Sequence, residues 1–269
     1  MTATATFEHR VKAYNVSHAS ENKIHDDAVA KKLGFSGGLV PGVEVFAYAT
    51  HPALSRWGRA WLERGRMEAK FAKPVYDGRI AVVTANANDD RLDILVESEG
   101  QTCATARASL PASAPSAPDV SAYRQVAPPP QSGRPPADET SLAEGRWLGT
   151  VPAVLTAERH AEYLRDVRET HRLYAAEGLA HPGILLRLCN SLLRENVVLA
   201  PWIHVGSVLQ NLTVARVGEV LSARGRIVAN YERKGHRLVD IDCLLLAGER
   251  PVAHVLHTAI YRLRHLAQA

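Results

Sequence analysis

Several common chemistries leave no trace in this chain of 269 residues. It has three cysteines, Cys103, Cys189 and Cys243. Their odd number and wide spacing exclude a disulfide framework or a zinc cluster and leave them as reduced core thiols. No His-Glu-x-x-His, Gly-x-Ser-x-Gly, phosphate-loop or dinucleotide fingerprint occurs, so metalloprotease, serine hydrolase, nucleotide triphosphate and NAD chemistries have no support. His254 and His257 fall in a strand pattern, where a spacing of three puts them on opposite faces, so a metal site is not expected. No apolar run approaches bilayer-spanning length, and residues 1–7 lack a basic stretch followed by an apolar one. These absences predict a soluble cytoplasmic protein with no membrane contact. Charge of one sign is lacking too. The 32 basic and 28 acidic residues are interspersed, with a net charge of +4. That is not the clustered stripe of a nucleic-acid binder, although it suits a small anionic ligand.

What is present is apolar residue in quantity, 46% against 22% charged, enough for packed cores. The length exceeds one ordinary domain and suits two. Eight of the fifteen prolines fall between Pro111 and Pro136. Residues 111–146 are poor in large apolar side chains and read as an extended, partly ordered connector. The expected division is therefore a first domain at 1–110, a linker at 111–146 and a second domain at 147–269.

Both domains show one order of elements. Leu39-Val-Pro-Gly42 precedes the apolar run 43–54, and Leu179-Ala-His-Pro-Gly183 precedes the apolar run 184–196. A helix without a wide polar face is buried on most of its surface. Strand patterns follow each helix, at 67–71, 79–86, 92–96 and 102–107, then at 204–214, 220–231, 237–246 and 252–263. Gly78, Gly218, Gly235 and Gly248 mark turns between them. The repeat is far longer than a solenoid unit and indicates a duplicated domain. The fold class is α+β, with two antiparallel sheets that each wrap one buried central helix.

Within the first domain, Ser20-Glu21-Asn22-Lys23-Ile24-His25 leads into a short helix ending at Gly34-Phe35, then into Pro41-Gly42. This segment resembles the MaoC-like dehydratase and (R)-specific enoyl-CoA hydratase family in its double hot-dog form. The family pattern is Asp-x-Asn-Pro-(apolar)-His, a short helix, and a His-Gly turn opening the buried helix. Asn22, Ile24 and His25 match it. Ser20 stands at the Asp, Lys23 at the Pro and Pro41 at the turn His. In the second domain, Glu169-Thr-His171-Arg-Leu173-Tyr174 can be laid on the same pattern, with Glu169 at the Asp and Tyr174 at the His. A second registration pairs Asp166 with His171. The first is preferred because Leu173 and the distance to Gly178 then fit.

The resemblance implies reversible hydration of a 2-enoyl thioester, with acyl-CoA as substrate and no cofactor or metal. His25 is the expected acid–base residue and Asn22 its assistant, and the Gly42 amide is the oxyanion donor at a helix N-terminus. Glu21 is the nearest candidate for the missing carboxylate, with Asp27 as another. Ser20, Pro41, Glu169 and Tyr174 are expected to touch substrate. Each residue also has a plain alternative: His25 and Asp26-Asp27 as helix caps, Glu21 as a solvated carboxylate, Glu169 and Tyr174 as surface charge and packing. Trp57, Trp61, Trp147 and Trp202 read as core or interface anchors, and the basic turn 233–237 as a hairpin tip within reach of a CoA phosphate. A thioesterase and a catalytically silent acyl-CoA-binding module are the rival functions. A homodimer is compatible with all of them.

Overall fold

The computed structural model describes residues 6–17 and 20–264. Residues 1–5, which carry most of the leader reading, lie outside them. The first half runs β1 (Thr6–Lys12), a single 3-10 turn (Lys23–His25), α1 (Asp27–Lys32), α2 (Gly42–Trp57), α3 (Arg59–Arg64), β2 (Arg66–Phe71), β3 (Ile80–Asn88), β4 (Arg91–Ser98) and β5 (Gln101–Ser109). The second runs β6 (Trp147–Gly149), β7 (Ala153–Val154), α4 (Ala157–Asp166), α5 (Arg172–Glu177), α6 (Pro182–Arg194), β8 (Ile203–Asn211), β9 (Val220–Arg233), β10 (His236–Ala247) and β11 (Arg250–Arg262).

The strands form one antiparallel sheet in the order β1-β3-β4-β5-β2-β8-β11-β10-β9-β6, with β7 beside β9. Each half has the same internal order, and the two meet edge to edge where Met67 pairs with Leu209 and Ala69 with Ser207. Alternation explains the strands: β4 buries every second residue, so one face supplies the core. Helix α2 is buried from Val43 to Thr50 and again at Pro52, Ala53 and Leu54, as an apolar run without a polar face requires. Phe46, Tyr48 and Leu54 there each contribute roughly 1.5–3 kcal/mol by leaving water. Helix α6 buries Leu185, Leu186, Cys189, Leu192 and Leu193. All three cysteines are free and buried.

Two features depart from the sequence expectation. The first is α4, which has no counterpart among the described residues between β1 and Ser20. Thr156 caps it by accepting from the Arg159 N–H, and it buries His160 and Tyr163. The second is the proline-rich connector, which is a packed strap rather than a partly ordered tether. Tyr123 is buried, with its hydroxyl donating to the Asp242 carboxylate at 3.0 Å. Leu142 is fully buried, and Ala137 N–H donates to the Val198 carbonyl while Val198 N–H donates to that of Pro135. Fixed proline dihedrals lower the entropy lost in holding such a strap down.

Candidate active site

The segment expected to carry the chemistry is built by caps. Asn22 Oδ1 accepts from the Ile24 N–H and closes the 3-10 turn that ends at His25. Asn15 Nδ2 donates to the His25 carbonyl at 2.8 Å, and the His25 ring is buried. Its Nδ1 lies 2.7 Å from the Leu39 carbonyl, which can only accept, so Nδ1 carries the proton and Nε2 is an acceptor. Asn22 Nδ2 lies 3.3 Å from that Nε2. The same amide also grips the backbone of Trp202, donating to its carbonyl at 2.9 Å and accepting from its N–H at 3.3 Å. Asn22 therefore joins His25 to the second half.

Three cavities are linked around His25, which lines two of them. One of about 680 Å³ is lined by apolar groups including Phe35, Leu39, Val45, Phe71, Ile260 and Leu263. A second, of about 670 Å³, is more polar and is lined by Ser20, Glu21 and Glu44, with Arg134, Arg187 and Arg194. Between them is a niche of about 30 Å³, walled by Asn22, His25, Pro41, Gly42, Asn190 and His204. Asn22, His25, Pro41, Asn190 and Trp202 are shared with the polar cavity. Leu39, Gly42, Ile203 and His204 are shared with the apolar one. Gly42 opens α2, so its N–H has no intrahelical acceptor. A Cβ at Gly42 would stand 2.8 Å from His204 Nδ1 and 3.0 Å from the His204 carbonyl, so only glycine admits this approach.

The other expected residues have defined places. Ser20 donates to the Asn22 carbonyl at 3.2 Å, and Glu21 accepts from Gln131 on the strap. Pro41 caps α2. Asp26 caps α1, and Asp27 is exposed and holds the Gly38 N–H at 2.7 Å. Asp27 lines none of the three cavities. Trp61 is fully buried, whereas Trp202 lines the niche. The basic turn is the tip between β9 and β10, with Arg237 paired to Glu139 and His236 on the apolar cavity.

Glu169 and Tyr174 stand apart, in the sealed counterpart of this site. Glu169 is buried and accepts from His51 Nδ1 at 2.8 Å and from the His171 N–H at 2.6 Å. Burial works to raise its pKa, but hydrogen bonds and charge from His181 and His51 prevail and hold the carboxyl well below the usual range. His181, fully buried, is pushed down by desolvation. Tyr174 is fully buried with its ring 4.6 Å from that of His181. Neither Glu169 nor Tyr174 lines a cavity shared with His25. The preferred registration agrees with the caps: His171 Nδ1 accepts from the Leu173 N–H, as Asn22 does from Ile24.

Three residues had no motif to reveal them. Glu44 is buried on the polar cavity, with Oε1 held by Arg187 Nε at 2.6 Å and Oε2 without a partner. Desolvation raises its pKa against the pull of Arg187. Asn190 and His204 enter the niche from α6 and β8. The available signal was a polar residue at inward positions of apolar elements. Among the described residues no group of three or more His, Cys, Asp or Glu side chains could hold a metal ion. Among those residues, too, no helix is long and apolar enough to cross a membrane.

No protein-family description and no curated protein matches the chain by sequence. Solved structures do match. A protein described as a MaoC domain dehydratase, from Chloroflexus aurantiacus J-10-fl, superposes with a TM-score of 0.66 at 11% identity, covering 97% of this chain and 95% of its own. A conserved hypothetical protein from Mycobacterium tuberculosis, described as a double hot-dog, gives a TM-score of 0.66 at 15% identity, covering 97% and 96%. A protein described as thioesterase II, from Thermobifida fusca YX, gives a TM-score of 0.50 at 17% identity over 83% and 87%. Such identities speak for the fold, which serves dehydratases and thioesterases alike. The chain is a double hot-dog protein, built on the fold of the MaoC-like dehydratases.

Proposed function

We propose that this protein adds water reversibly across the double bond of a 2-enoyl thioester, acting as an enoyl-CoA hydratase or 3-hydroxyacyl dehydratase. The observation that carries the reading is His25. Its tautomer is set by the Leu39 carbonyl, and Nε2 becomes an acceptor beside the first amide of a buried helix. In hydration, Nε2 takes a proton from water as the water oxygen bonds to the β-carbon. The double-bond electrons move through the α-carbon onto the thioester oxygen, where the Gly42 N–H donates to the developing charge. The proton then passes from His25 to the α-carbon, so one water has been added.

The apolar cavity suits the acyl chain, and the polar cavity, with Arg134, Arg187 and Arg194, suits the phosphate-bearing arm of CoA. Asn22 assists by orienting His25 and holding Trp202. Ser20, Glu21 and Pro41 wall the entrance. Glu169 and Tyr174 take a structural role in this reading. A thioesterase is the second reading, favoured by the unpaired Glu44 Oε2, a carboxylate oxygen able to attack a thioester carbonyl or activate water beside it.

The test is incubation with short, medium and branched 2-enoyl-CoA esters. Loss of conjugated-thioester absorbance, reduced about a thousandfold in His25→Ala, is the expected result. Release of free thiol would favour the thioesterase. Binding with neither change would leave a silent module, as Ser20 in place of a carboxylate would suit.

A further inference from the structure

A second imidazole faces the niche, and its protonation pattern follows from its neighbours. His204 is buried, with Nε2 3.0 Å from the Gly206 carbonyl and 2.8 Å from Ser207 Oγ. A carbonyl can only accept, so Nε2 carries the proton and Nδ1 is a bare lone pair. Ser207 Oγ, having accepted from His204, gives its own hydrogen to His257 Nδ1 at 2.9 Å. His257 Nε2 then donates to Asn190 Oδ1 at 3.0 Å, and Asn190 is itself a wall of the niche. Every bond in this chain runs in one direction. The rings of His204 and His257 stack 4.2 Å apart, and burial keeps His204 neutral, its pKa pushed down to about 3.

The chain ends in an anomaly. His204 Nδ1 is buried without a hydrogen-bond partner, 2.8 Å from where a Gly42 Cβ would be. A buried acceptor left unpaired is costly and persists where a ligand completes it. A niche of about 30 Å³ is the size of a bound water, and its walls offer donors at Gly42 and Asn190 and acceptors at His25 and His204.

We infer that His204 Nδ1 accepts one hydrogen of the reacting water while His25 Nε2 takes the other, so that the water's lone pair faces the β-carbon. In the reverse direction the same atom holds the hydroxyl of a 3-hydroxyacyl thioester. The inference rests on the hydratase reading. It supplies a second acceptor in the niche, which Ser20, a wall of the polar cavity only, does not provide. His204 itself stays neutral and carries no proton between steps. Ser207 and His257 act only through it, as positioning residues.

The experiment compares His204→Phe, His204→Asn and Ser207→Ala in the full chain, with 2-enoyl-CoA hydration as the readout. Asn can place Oδ1 where Nδ1 stood. The expected result is a kcat lower by about a hundredfold in His204→Phe, with KM within about threefold, and recovery to within about tenfold of wild type in His204→Asn. Ser207→Ala, which cuts the link to His257 and leaves the Gly206 carbonyl alone to hold the ring, loses at most about tenfold. Wild-type rate in His204→Phe, or equal losses in the Phe and Asn variants, would overturn the inference while leaving the hydratase reading intact. A wild-type chain that hydrates none of the thioesters would sink both. Should the variants misfold, long-range nitrogen–proton NMR of the wild-type imidazoles decides: His204 is expected as the Nε2–H tautomer, with Nδ1 shifting on addition of 3-hydroxyacyl-CoA. The opposite tautomer, or an unmoved Nδ1 under saturating product, overturns it.

Discussion

The two halves share one plan, yet one holds an open site and the other a sealed one. In the first, the carbonyl of Leu39, just before the buried helix, is met by His25 Nδ1 from the motif segment. In the second, the equivalent carbonyl of Leu179 is met by His160 Nε2 at 2.8 Å, from α4. That helix also places Tyr163 over the start of α6, where a Cβ on Gly183 would overlap the Tyr163 hydroxyl. Tyr174, at the position of His25, is fully buried beneath His181. In the second half α4 fills the space that stays open around His25 in the first, and Glu169 forms a buried cluster with His51 and His181 there. Fold duplication supplies two sites. The two places differ in access and also in residue, with Tyr174 where the first half has His25.

Predictions that sharpen this contrast differ in scale. The largest concerns acid. His181 in the sealed site, and His204 and His257 at the open one, all have pKa values held below the ordinary 6.5 by burial. The unfolded chain therefore binds more protons than the folded one below that value. Their stabilisation is complete above about pH 6.5 and drains as pH falls toward the folded values, at roughly 1.4 kcal/mol per pH unit for each histidine. Denaturant midpoints measured from about pH 8 to pH 5 should show this combined slope. His181→Asn, which can still cap Gly183, should remove one of the three contributions.

Next in size is Glu169→Ala, expected to lower stability by about 3 kcal/mol, because it strips a buried cluster of its charge. Hydration by the folded fraction should change by no more than about twofold. A large loss of kcat at unchanged fold would mean the second site takes part after all. Smaller still is the pair of glycines. Gly183→Ala should cost about 1–3 kcal/mol of stability through overpacking against Tyr163, with the rate spared. Gly42→Ala should slow hydration about tenfold or more, because its Cβ drives His204 from the niche. Thermal melts and kinetics on both variants check the split.

Much of this was legible in the sequence, and the illegible part has physical reasons. The strands announced themselves by alternation, and α2 and α6 by apolar runs after Pro-Gly turns. His25 was visible because its caps, Asn22 and the short helix that follows, are local. His204 was not. A β-bulge at Val205 turns His204 and Ser207, three residues apart, to the same face, where strict alternation would oppose them. Ser207 then pairs directly across from His257. Glu44 and Asn190 meet His25 only through packing of α2 against α6, and no local pattern encodes that. Helix α4 did carry a signal, with His160, Tyr163, Leu164 and Val167 on one face behind a Thr156 cap, but charged residues dominate its composition. The prolines around residues 128–136 suggested slack, yet the strap lies against the second half and lends Gln131 and Arg134 to the polar cavity.

The claim that the site at His25, and not its counterpart at Tyr174, turns over substrate is tested most directly by matched substitutions at equivalent positions, His25→Ala and Tyr174→Phe, in one 2-enoyl-CoA hydration assay. The account predicts a loss of about a thousandfold in kcat for His25→Ala and a change within about twofold for Tyr174→Phe. A comparable loss in both variants, or none in His25→Ala, would contradict it.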